Sequence, residues 1–421
     1  MTAPLDGPLT APHSKTGLIG WRNAVFVTFV LSGLSIASWV SRLPAVRDAL
    51  ELSTSSVGIL ILCMSVGSIV GLIAAPLLLA RVGPRLGIIT CVSIIALGML
   101  LIGIGSSLVP LVAVAAIGLA LFGLGNGAVD VIMNVEGAAA ERAIGKTLMP
   151  LMHACFSVGA VAGAGLGAAA SALGISVFAH LGSVAVLLVI SSLIAVRFIP
   201  ARLDVTDTTD AGVSAAIPLT RQARPSLSAR LAGTLKVWGD MRLLLIGAVM
   251  LGMAFAEGSA NDWLAIATVD GHGQSNTTGA LVFGIFVAAM TVGRVLGGPL
   301  LDRFGRVPVL RATAIIGVAG LLMFIESDQL WVVIVGTILW GFGASLGFPV
   351  GISAAADDTK NAAARVSAVA IVGYMAFLVG PPLLGLLGQT FGILNALYVV
   401  LALLILSALA APAARERTYP S

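Results

Sequence analysis

Ionisable side chains are scarce in this 421-residue chain, which is 58% hydrophobic and 10% charged. The few that interrupt its long apolar runs are where chemistry could be done. Asp130, Asn134 and Glu136 stand in the stretch Gly123-Leu-Gly-Asn126-Gly-Ala-Val-Asp130-Val-Ile-Met-Asn134-Val-Glu136. Asp130 and Asn134 are four residues apart and share a helical face. His153 opens the following run. Glu257, Asn261, Asp262 and Trp263 cluster in a later one, and Arg294 lies inside the next. A charge at membrane depth is costly, so each should face a cavity or a partner. A carboxylate in a low-dielectric cavity favours its neutral form and can load and release a proton. That role is assigned to Asp130, against the alternative of a structural pair. Asn126, Asn134, Asn261 and Gln389 are neutral hydrogen-bonding groups suited to hydroxyls. Trp39 and Trp263 are expected to stack a solute's apolar face. His153 is either a hydrogen bonder at a helix start or a relay. Glu257 lines the cavity or a gate, and Glu136 lines the cavity or sits as an interface charge near Arg142. Arg42 is expected to form a gate ion pair with Asp262 or Asp270.

The elements that must position these groups are membrane helices. A soluble domain is typically about 25% charged, and apolar runs of roughly 20 residues, each enough to span a bilayer, recur along the whole chain. The runs predict twelve helices, at 22–40, 55–79, 86–106, 110–132, 149–172, 175–198, 242–264, 279–301, 308–326, 330–352, 364–388 and 391–412. This is an all-α membrane protein with two six-helix halves at 21–198 and 242–412. A polar tail at 1–20, a linker at 199–241 with a surface helix near 227–238, and a second tail at 413–421 complete it. Of the 23 Lys and Arg residues, all but Arg42, Arg47 and Arg294 fall on segments of one side. Positive charge marks the cytoplasmic side, so both termini are expected in the cytoplasm of a bacterial inner-membrane protein. No cleavable signal is evident at the N-terminus.

The halves repeat. An offset of 222 residues aligns Gly71, Arg81 and Gly83 with Gly293, Arg303 and Gly305. An offset of 224 sets Ser38-Trp39 on Asp262-Trp263, and one of 218 sets Gly123 and Gly125 on Gly341 and Gly343. Two related halves should enclose a binding site at their interface. The second copy of the loop after the second helix reads Gly298-Pro299-Leu300-Leu301-Asp302-Arg303-Phe304-Gly305-Arg306. It resembles the signature loop of the major facilitator superfamily, G-x-L-x-D-R-x-G-R. The resemblance implies a latch made by Asp302, Arg303 and Arg306 that steadies one conformation, with Arg294 as partner of Asp302 or as an anion-binding residue. In the first copy the acid is replaced by Ala80.

The fourth-helix pattern around Asp130 and Asn134, the stretch from His153 to Ala160, and Glu257 followed by Trp263 are similar to the fucose permease group. That resemblance implies proton-coupled symport of a sugar, with Asp130 taking the proton. It also implies a small-molecule substrate and protons as partners, a monomer, and no cofactor. The first helix departs from the group: Ser35 to Pro44 contains no acid and carries Arg42. Proton-coupled efflux of a drug or metabolite is the alternative, and a non-transporting sensor a more distant one. There is no phosphate-binding loop, nucleophile–base pair or metal-ligand cluster, so an ATP-driven pump is excluded on this chain and an enzyme is not expected. Cys63, Cys91 and Cys155 are expected to pack. Basic residues spread over short loops argue against nucleic acid. Tyr374 and Gly380-Pro381-Pro382 are expected to form a hinge.

Overall fold

The computed structural model describes residues 15–146, 148–200, 239–355, 357 and 362–415. The linker and its expected surface helix, and most of both tails, lie outside them. Thirteen α-helices run along the described residues: α1 (Lys15–Val40), α2 (Leu43–Ala49), α3 (Thr54–Gly103), α4 (Val112–Ile144), α5 (Met149–Ala172), α6 (Val177–Ala195), α7 (Met241–Ile266), α8 (Asn276–Phe304), α9 (Arg306–Glu326), α10 (Leu330–Ala344), α11 (Gly347–Ala355), α12 (Ala362–Phe391) and α13 (Ile393–Ala410). Among the described residues eleven helical segments are long and apolar enough to cross a membrane.

One of these, Thr54–Leu108, has 55 residues. At about 1.5 Å per residue it is roughly 80 Å long, far more than a hydrocarbon core of about 30 Å. Gly83 divides it, with φ 74° and ψ 176°. Positive φ is available to glycine because it has no Cβ to clash. Gly305, its mate under the 222-residue offset, has φ 78° and ψ 168° between α8 and α9. The same unusual backbone turns the chain at the same point of each half, which makes twelve crossings.

Observed helices differ from the predicted ranges in places. The fourth predicted helix stops at 132, but α4 continues to Ile144. Its added turns are stable because their charges are satisfied. Glu136 accepts a 3.0 Å hydrogen bond from the Trp21 indole. Glu141 accepts from the backbone N–H groups of Leu148 (2.5 Å) and Met149 (2.8 Å), filling orphan donors at the start of α5. Gly145, at φ 70°, ends the helix. At the expected hinge the chain is helical, with α12 running through Pro381 and Pro382. Pro381 cannot donate to the carbonyl four residues back, and that carbonyl, of Phe377, accepts instead from Ser65 Oγ at 3.4 Å.

Helix contacts are backbone-close. A Cβ on Gly159 of α5 would lie 2.0 Å from the Val30 carbonyl of α1, and one on Gly123 of α4 would lie 2.0 Å from the Met64 carbonyl of α3. Small residues permit this approach, which replaces the hydrophobic driving force that helices lack in lipid. Exposed Ile73, Leu97, Ile190, Ile315 and Leu409 clothe the outside, and Cys63, Cys91 and Cys155 are free thiols.

Candidate functional site

Both ends of the described chain lie on one face of the bundle, here the terminal face; the loops after α1 and α7 lie on the far face. Hydrogen bonds that join the two halves gather at the far face. Arg47 of α2 pairs with Asp270, and Asp48 accepts from Asn276 at 3.0 Å. Thr54 N–H donates to Gln389 at 3.0 Å, and Thr277 bonds Ser171 at 3.2 Å. Ser65 to Phe377 is deeper along the same seam. Toward the terminal face, residues such as Val158, Val292 and Val295 on α5 and α8 are exposed. The halves are therefore joined at the far face, and toward the terminal face no hydrogen bond joins them among the described residues.

Toward the terminal face from that closure lie some of the polar groups that the sequence singled out. Asp130 on α4 is exposed at its surface yet has protein around it on most sides, and it lies within electrostatic reach of Tyr374 on α12 in the opposite half. Asn134 donates to the Asp130 carbonyl at 2.8 Å and to its carboxylate at 3.3 Å, so the shared helical face is real. His153 stands edge-on to Phe29, ring centroids 5.3 Å apart, and is within electrostatic reach of Arg294 in the other half. Arg294 pairs with Glu257 at 2.8 Å and reaches the Ser345 carbonyl at 3.4 Å. Asp130, which pairs with no cation among the described residues, the Glu257–Arg294 ion pair and His153 thus stand on helices of both halves toward the terminal face. Such an arrangement can bind a polar solute and hold a proton.

Several expected sites are placed elsewhere. Arg294 is not the partner of Asp302: Glu257, on the neighbouring α7, is nearer in depth and would otherwise be unpaired. Asp302 and Arg303 are exposed on the terminal face, with Arg303 over the Phe304 ring at 5.3 Å. Arg306 bonds Asp357 at 2.8 and 2.9 Å and Ser353 at 2.9 Å, within its own half. Among the described residues no ion pair joins Asp302 or Arg303 to the other half. Arg42 does not pair with Asp262 or Asp270. It is buried and donates to the Ile175 carbonyl at 2.7 Å, while Arg47 takes Asp270. Asp262 and Asn261 are half-buried, and no ion pair involves Asp262 among the described residues.

Trp39 and Trp263 are 1% and 0% exposed, so both indoles pack in the core and not against the space between the halves. Asn126 is buried and uses its amide on the Phe122 carbonyl, with Ser35 at 3.5 Å. Gln389 caps Thr54 rather than facing the cavity. Glu136 is 0% exposed and bonded to Trp21, neither cavity-lining nor paired with Arg142. Sequence reasoning missed Tyr374 as a site residue and the cluster Arg47, Asp48, Asp270 and Asn276. For the cluster a signal existed: paired opposite charges in the loops that follow the first helix of each half. Among the described residues no group of three His, Cys, Asp or Glu is placed to hold a metal ion.

Comparison with known proteins accords with this fold. The family described as Major Facilitator Superfamily matches residues 258–421. The uncharacterized transporter y4wD of Sinorhizobium fredii is 30% identical over 400 residues, covering 95% of this chain and 99% of that one. An uncharacterized MFS-type transporter of Yersinia pestis is 29% identical over 392 residues, covering 93% and 94%. Among solved structures, a mutant form of the nucleoside transporter NupG has a TM-score of 0.71 at 12% identity, covering 94% of this chain and 99% of that one. The E. coli Fucose:proton symporter FucP has a TM-score of 0.60 at 16% identity, covering 94% and 98%. At these identities the structural likeness speaks for the fold alone.

Proposed function

The chain belongs to the Major Facilitator Superfamily, and from that premise we propose that it moves a small, polar, sugar-like solute across the bacterial cytoplasmic membrane by alternating access, coupled to protons through Asp130. The observation that carries this reading is the placement of Asp130 on α4, within electrostatic reach of Tyr374 of the other half, with no cation paired to it among the described residues. A carboxylate between two halves that part and close meets each side of the membrane in turn, which is what coupling requires. Asn134 steadies it, and His153, Glu257 and Arg294 supply hydrogen-bonding groups to the solute. The printed descriptions of NupG and FucP, a nucleoside transporter and a fucose:proton symporter, support a polar solute carrying hydroxyls. The distribution of Lys and Arg supports a cytoplasmic terminal face, so the state described is open to the cytoplasm.

The test is a charge-transfer recording on proteoliposomes, with sugars, polyols, organic acids and lipophilic cations applied at several pH values. The expected result is a pH-dependent current with a sugar-like compound, lost in Asp130→Asn while binding of the solute persists. Currents from lipophilic cations alone would replace this reading with proton-coupled efflux.

A further inference from the structure

A second polar cluster lies away from the central space, at the far-face end of the N-terminal half. Arg42 follows α1 and is 4% exposed. Its Nη2 donates to the Ile175 carbonyl, but Nε and Nη1 are buried and have no partner. No carboxylate or other charged group lies near enough to offset its charge among the described residues. His180, on the first turn of α6 and 7% exposed, lies within electrostatic reach of Arg42, and both of its ring nitrogens are buried without a partner. Ser38 Oγ is a third buried orphan. Ser38 on α1 and Ser41 just after it meet α5 here: a Cβ on Gly163 would come within 3.1 Å of Ser38 Oγ, and one on Gly167 within 1.8 Å of Ser41 Oγ and 3.7 Å of the His180 ring. Four segments, the α1–α2 junction, α5, the loop at Ile175 and α6, thus converge on one buried cation with spare donors.

A buried, uncompensated guanidinium is among the most costly groups a protein can hold, and natural structures pair such charges. Water could satisfy orphan donors but does not neutralise the charge. The start of α6 adds the positive end of its helix dipole to the same place. We propose that Arg42, His180 and Ser38 form a binding site for one small inorganic monovalent anion of halide type. One positive charge calls for one negative charge. The close approach of α5 to α1 at Gly163 and Gly167 favours a small ion, and a divalent oxyanion would leave one negative charge uncompensated beside the single guanidinium. The site lies at the start of α2, whose Arg47 and Asp48 join the halves at the far face, so an anion there braces the element that holds the closure.

The experiment uses the full-length protein in detergent, with melting temperature followed while sodium gluconate is exchanged for sodium chloride at constant ionic strength. The expected result is a saturable rise with chloride, reproduced by bromide. His180→Leu raises the half-saturating chloride concentration about tenfold, the loss expected for one hydrogen bond to a charged group, and Arg42→Met abolishes the response. Bromide-soaked crystals of the unmodified protein should show an anomalous peak between Arg42 and His180, a readout that does not depend on the variants folding. No chloride-specific rise, a rise that survives in Arg42→Met, or no bromide peak at that position overturns the proposal. In that case the Ile175 carbonyl and the end of α5 alone hold the arginine.

Discussion

Glu257 and Arg294 show how a charge earns its place at membrane depth: the Glu257 side chain is 15% exposed and the Arg294 side chain 34%, and each is the other's neutraliser at 2.8 Å. Removing one partner strands the other, which costs about 2 kcal/mol here once the water-facing side of Arg294 is allowed for. Arg294→Gln should therefore lower the melting temperature, and Glu257→Gln added to it should restore most of the loss without restoring transport. A double-mutant cycle in thermal unfolding checks this, and additive effects of the two substitutions would refute it. Outside the membrane, Asp240 caps α7 and pairs with Arg365. The Arg365 hydrogen bond, ahead of any other influence, holds the Asp240 carboxyl below its ordinary value of 3.8. A carboxylate depressed by folding contributes stability above its unfolded pKa and loses it as pH falls through the folded one. Acidification below pH 3.8 should then weaken the unmodified protein, and Asp240→Asn should flatten that part of the pH–stability curve while lowering stability at neutral pH.

Among the elements, the glycine contacts and the proline pair make opposite demands. Gly123 touches the Met64 carbonyl so closely that a Cβ would sit 2.0 Å from it. Backbone cannot give way as a flexible side chain does, so Gly123→Leu should cost about 3 kcal/mol or more and lower the yield of folded protein. Pro381→Ala asks for nothing similar, because α12 is already helical there. It supplies an N–H to the Phe377 carbonyl in place of the 3.4 Å bond from Ser65. Melting temperature should stay within a few degrees, and the seam between the halves should loosen on the α3 side. The length of α4 teaches the same lesson in reverse. The predicted range stops at 132, whereas Trp21 and two backbone N–H groups, 115, 7 and 8 residues away in sequence, satisfy the acids beyond it and let it continue.

At the scale of the whole molecule, the state open at the terminal face depends on the far-face contacts. Arg47 and Asp270, with side chains 15% and 32% exposed, form a pair of the kind worth about 1 kcal/mol. Losing it shifts a two-state equilibrium about fivefold. Arg47→Ala should raise the population closed at the terminal face by that factor, measured as distances between spin labels placed on the two halves. Exchanging the two charges should restore the original distribution, and no shift in either variant would show that the pair does not hold the closure. Twelve crossings, the repeat and the helical face shared by Asp130 and Asn134 were legible in the sequence, because hydrophobic run length, glycine at a positive-φ turn and spacing along a helix are local properties. Pairings across the bundle were not. Arg294 meets Glu257 rather than Asp302, Arg47 rather than Arg42 takes Asp270, and both Trp39 and Trp263 disappear into the core. Partners at membrane depth are set by which helices touch and how far each side chain lies along its axis, and those distances exist only once the two halves have packed against each other.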